Sequence, residues 1–147
     1  EAVGYNSRLD ELQAAGLRLF LDHADDWNDA RREAAARYAE LGLGDLCELP
    51  EDEPGHVYHM YVVRSPERDR IAAALRHADI GCATYYTTPL HLQPVFTSLG
   101  YGAGSLPETE RAARETVALP LWPGITAEQQ EQVVRTVRAA VAARATS

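Results

Sequence analysis

A chain of 147 residues with net charge −8 has room for one domain with its own core, and its acidity excludes the basic stripe that phosphate contacts with nucleic acid demand. Of the 46% hydrophobic residues, 24 are alanine, which leaves larger apolar side chains at roughly 30%, an ordinary share for a soluble fold. All 14 basic residues are arginine, so chemistry that needs a lysine amine, such as an imine to a carbonyl cofactor, is not completed within these residues.

Glu1 rather than Met opens the sequence, and the expectation is a piece of a longer protein whose N-terminal neighbour is missing. A first helix is predicted from an Asn6 or Ser7 cap, with Leu9, Leu12, Gly16, Leu19, Phe20 and His23 along one stripe. Asp25 or Asp26 caps a second helix over residues 27–41, which Gly42 and Gly44 stop. Residues 57–64 are rich in β-formers on both faces and read as a buried strand. Pro66 opens a helix to about His77, residues 80–86 read as a second strand, and Pro107 opens a helix to about Arg114. Residues 116–122 read as a third strand, and Thr126 caps a last helix with Val133, Val134, Val137 and Val141 on its apolar face. The order ααβαβαβα with short connections predicts an α/β fold, an α+β sandwich in which helices cover a small antiparallel or mixed sheet. No apolar run approaches the ~20 residues of a membrane span, and nothing resembles a signal peptide. The two cysteines, Cys47 and Cys82, have no paired spacing, which fits a reduced, cytoplasmic setting.

Most polar clusters have plain readings. His56 and His59, three apart on the predicted strand, point to opposite faces and do not converge on a metal. His59 itself reads either as a core histidine bonded to the backbone or as an imidazole facing a pocket. The run Gly100-Tyr101-Gly102-Ala103-Gly104 lacks the Lys-Ser/Thr and the preceding strand of a phosphate loop, and reads as a surface loop. Ser7, Cys82 and the histidines show no nucleophile–base spacing, so no catalytic residue is assigned. What remains is Tyr85-Tyr86-Thr87-Thr88-Pro89-Leu90-His91-Leu92-Gln93-Pro94, a polar and aromatic run at a strand exit. The residues alone leave a binding-site rim and a structural loop both open.

Gly4-Tyr5-Asn6-Ser7-Arg8-Leu9-Asp10-Glu11-Leu12-Gln13-Ala14-Ala15 resembles the opening signature of this region in the DegT/StrS-type sugar aminotransferases. Further stretches agree in the same order: Trp27-Asn28 with Arg31, Arg32 and Tyr38; residues 56–64; Tyr86-x-x-Pro89-Leu90-His91-x-Gln93-Pro94; and Leu119-Pro120-Leu121-Trp122-Pro123. The resemblance covers essentially the whole chain. It implies a pyridoxal-phosphate enzyme of the aspartate-aminotransferase fold, commonly a homodimer. Such an enzyme moves an amino group from glutamate or glutamine to a nucleotide-linked keto sugar. It further implies that residues 1–147 are the C-terminal small domain, with the start of the long interdomain helix at 6–23. The large cofactor domain and its lysine would then be absent, and the fragment alone inactive. By resemblance, Asn6 and Arg8 bind the cofactor phosphate side, Asn6 in the pocket of the opposite subunit, while His59, Tyr86 and His91 border the sugar-nucleotide side. The competing expectation is a free-standing, non-catalytic binding or dimerisation module of the same ancestry.

Overall fold

The computed structural model describes residues 9–143 of the chain. In chain order the elements are α1 (Glu11–Leu21), α2 (Ala24–Glu40), β1 (Tyr61–Arg64), α3 (Arg68–His77), α4 (Pro107–Glu115), β2 (Thr116–Leu119) and α5 (Ala127–Ala142), with short 3-10 turns between them. β1 and β2 pair antiparallel, Tyr61 opposite Leu119 and Arg64 opposite Thr116. Single bridges widen this layer at both edges. Glu48 and Arg64 exchange two backbone bonds of 2.9 Å, and Ala83 pairs with Ala118. The small antiparallel sheet under helices is the architecture the sequence predicts.

Helices α2, α3 and α5 close over the sheet. Tyr38, Leu43, Val63, Ile71, Leu75, Val117 and Val137 are fully buried between them. The Tyr38 ring stacks on Tyr61 at 5.1 Å, and its hydroxyl donates to the Pro120 carbonyl at 2.7 Å. Burial, together with the Tyr61 ring nearby, pushes the Tyr38 phenol far above its ordinary range. Burial likewise pushes the Cys47 thiol up to about 11, so this free cysteine behaves as an apolar core residue. Gln130, also fully buried, donates to the Ala34 carbonyl at 2.7 Å and accepts from Arg37 at 2.8 Å, which ties α5 to α2.

Several predicted elements come out differently. The strand predicted over 57–64 begins only at Tyr61. Tyr58 has φ 45°, and its amide donates to His56 Nδ1 at 2.9 Å, so the backbone there cannot extend into a ladder. His56 and His59 therefore lie in a loop, and the opposite-face argument applied to them does not hold. The strand predicted over 80–86 contributes the Ala83 bridge alone. The third strand stops at Leu119, because Pro120 has no amide hydrogen to continue it. The second helix starts at Ala24, earlier than predicted, and Asp25 and Asp26 sit in its first turn rather than at its cap.

The first helix begins at Glu11, where the Asp10 side chain accepts from the Gln13 amide at 2.7 Å. Its predicted apolar stripe buries nothing: Leu12 is 84% exposed and Leu19 74%. Asn6 and Ser7, the predicted caps, lie outside the described residues.

Candidate functional site

An open cleft of about 530 Å³ lies where β1, α4 and the segment 85–93 meet. Val62 of β1, Thr109, Ala112 and Ala113 of α4, and Thr116 at the start of β2 form one wall. Tyr85, Tyr86, Thr87, Thr88, Pro89, Leu90 and Gln93 form the other. The local sequence explains this second wall. Pro89 fixes the entry to the 3-10 turn Leu90–Leu92, and the turn folds the chain back so that Leu90 and Gln93 face the cleft. The rings of Tyr85 and Tyr86 meet edge to face at 5.7 Å, and Tyr86 remains 75% exposed. Every lining residue is uncharged. The cleft offers aromatic faces, hydroxyls and one amide, a surface suited to a neutral polyhydroxylated ring rather than to a phosphate.

Behind this wall lies a part-buried polar contact. The His91 side chain is 5% exposed, and its Nε2 sits 3.1 Å from Glu110 Oε1. The same carboxylate oxygen accepts from the Gly104 amide at 2.8 Å. The hydrogen bond from His91, with further bonds from the Gly104 and Leu106 amides, holds the Glu110 carboxyl below the ordinary carboxylate range. His91 Nδ1 is buried without a hydrogen-bond partner, and the ring lies edge-on to Tyr101 at 6.4 Å.

The sequence-predicted residues are thus dispersed. Tyr86 lines the cleft. His59 is exposed just before β1 and lines a neighbouring depression of about 290 Å³, which shares Tyr85 with the cleft. His91 is packed behind the wall and does not line the cleft. Asn6 and Arg8 lie outside the described residues. Val62, Thr109, Thr116 and Glu110 carry no signal in the sequence that ties them to this place. Glu110 lies in the first turn of α4, where an acidic residue is already accounted for by the helix dipole. Among the described residues no group of three or more His, Cys, Asp or Glu side chains is placed to hold a metal ion. Among the described residues no helix is long and apolar enough to cross a membrane.

Pyridoxal phosphate, the cofactor implied by resemblance, forms an imine with a primary amine and presents a dianionic phosphate. The chain has no lysine, and the cleft lining has no cation. The described residues therefore do not fit this group by themselves, and no step through it is derived from them.

The family model described as the DegT/DnrJ/EryC1/StrS aminotransferase family matches residues 1–138. A Geobacillus stearothermophilus protein named a pleiotropic regulatory protein is 48% identical over 92% of this chain and 38% of its own length. A dTDP-3-amino-3,4,6-trideoxy-alpha-D-glucose transaminase from Micromonospora megalomicea is 43% identical, again over 92% of this chain and 38% of the relative. Among solved structures, S. venezuelae DesV in complex with a ketimine intermediate superposes with a TM-score of 0.82 at 39% identity, covering 95% of this chain and 38% of that one. The chain thus spans about 38% of the length of these relatives. With the match running from the first residue to α5, the chain belongs to the DegT/DnrJ/EryC1/StrS aminotransferase family.

Proposed function

We propose that the chain acts as the C-terminal small domain of a cytoplasmic, homodimeric, pyridoxal-phosphate-dependent aminotransferase that moves an amino group from glutamate or glutamine to a nucleotide-linked keto sugar. Its part is to supply one wall of the sugar side of the site. The observation that carries this reading is the uncharged cleft with Tyr85, Tyr86, Thr87, Thr88 and Gln93 on one wall, in a chain that matches a sugar transaminase over 92% of its own length and 38% of the relative's. The lysine that would hold the cofactor then belongs to residues other than these 147.

In this reading Tyr86 meets the sugar directly. His59 borders it from the adjoining depression, and His91 serves it through the wall it anchors. Asn6 and Arg8 face the cofactor phosphate across the dimer, where an amide and a guanidinium suit an anion. Two unpaired cysteines fit a reducing compartment.

The competing reading is a non-catalytic binding or dimerisation module, and the regulatory name of the Geobacillus relative is what favours it. The gene upstream of Glu1 and an assay of its full product separate the two. The proposal expects an open reading frame with a lysine-bearing cofactor domain, and an aminated nucleotide sugar by mass spectrometry when glutamate or glutamine is the donor. A start codon directly before Glu1, or a full product that aminates no nucleotide-linked keto sugar, would overturn it.

A further inference from the structure

Glu110 links the two walls of the cleft from behind, without lining it. Its helix, α4, contributes Thr109, Ala112 and Ala113 to one wall. Its Oε1 takes two hydrogen bonds: one from His91 Nε2 at 3.1 Å, within the segment that forms the other wall, and one from the Gly104 amide at 2.8 Å, in the loop that leads from that segment into α4. His91 sits at the centre of the turn whose flanking residues, Leu90 and Gln93, face the cleft. The turn's own bonds are short-range, Leu92 amide to Pro89 carbonyl and Gln93 amide to Leu90 carbonyl, both at 3.0 Å. They shape the turn but do not attach it to α4.

From this geometry we infer that Glu110 is a positioning residue, a two-point clamp that fixes the 85–105 segment on α4 and so sets the width of the cleft. Removing its carboxylate leaves the His91 ring buried with neither nitrogen bonded among the described residues, since Nδ1 already lacks a partner. The turn then has reason to lift off and bring the imidazole to water, and the cleft loses its fixed wall. The consequence for sugar binding rests on the function proposed above, whereas the clamp itself does not.

The test compares Glu110→Ala with Glu110→Gln, which keeps an acceptor oxygen, and with the parent chain. Amide hydrogen exchange gives the first readout. The clamp predicts that Glu110→Ala speeds exchange at Gly104, Leu92 and Gln93 at least tenfold, that Glu110→Gln restores most of the protection, and that amides of α5 are unchanged. Unchanged exchange at all three positions would overturn it. So would equal loss of protection in α5, which marks a global loss of stability and not local positioning. Kinetics of the full-length protein give the second readout: in Glu110→Ala the KM for the nucleotide-linked sugar rises with kcat held within about twofold. A fall in kcat at constant KM would place Glu110 in the chemistry and contradict a positioning role. If the full-length protein transfers no amino group, the proposed function fails, and the exchange data still decide on the clamp.

Discussion

Gln130 joins helices whose contact residues are more than ninety positions apart, using both ends of one amide. It lies on the apolar face of α5 among Val133, Val134 and Val137, where a polar side chain is costly unless both ends find partners. Gln130→Ala removes the acceptor of Arg37 and the second bond of the Ala34 carbonyl and opens a void, so we expect a loss of about 2–4 kcal/mol in urea unfolding. A loss under about 0.5 kcal/mol would mean that α2 and α5 are held by apolar contact alone.

Glu110 makes a prediction in pH. Its folded-state pKa lies below the ordinary 4.5, so its bonds contribute in full above that value and are lost as pH falls through the lower folded one. The Gly104 amide resonance should report this titration, with a midpoint below 4.5. A midpoint at or above 4.5 would show that the carboxylate does not hold these bonds in solution.

At the scale of elements, the sequence is legible where the signals are local. Thr126 accepts from the Gln129 amide, the Gln129 side chain accepts from the Thr126 amide, and three of the four predicted valines of α5 are buried. Each signal rests on residues no more than four positions apart. Thr126→Ala should therefore cost about 1 kcal/mol, read as a shift in the unfolding midpoint. An unchanged midpoint would mean that the helix is set by packing and not by its cap.

The strands fail for the converse reason. The β-formers of residues 57–64 are real, but Tyr58 turns its ring into the core against Tyr61 and bonds Asp52 through its hydroxyl. That tertiary demand overrides propensity. Residues 80–86 leave the sheet after Ala83 because the tyrosines and threonines beyond it form the cleft wall instead of pairing.

For the whole molecule, the family is legible through stretches that follow one another from residues 4–15 to 119–123, and the place of the cleft through one run, residues 85–94, because its chemistry is contiguous. Thr109, Thr116 and Glu110 are not, because only the folding of α4 onto that run brings them there. α1 is the other global feature. Its leucines satisfy a helical stripe, yet Leu12, Leu19 and Leu21 face outward. An uncovered apolar face of this kind favours association, so the chain on its own should self-associate or exchange the amides of residues 11–21 rapidly. Sedimentation at several concentrations with hydrogen exchange checks this. A strict monomer with α1 fully protected would contradict it.

Whether this cleft receives the sugar of a nucleotide-linked substrate, as proposed, is decided by the steady-state kinetics of Tyr86→Ala in the full-length protein. The account predicts that KM for the keto sugar rises about tenfold, equivalent to ~1.4 kcal/mol of lost binding, while KM for the amino donor is unchanged. An unchanged sugar KM, or an equal rise for the donor, would contradict it.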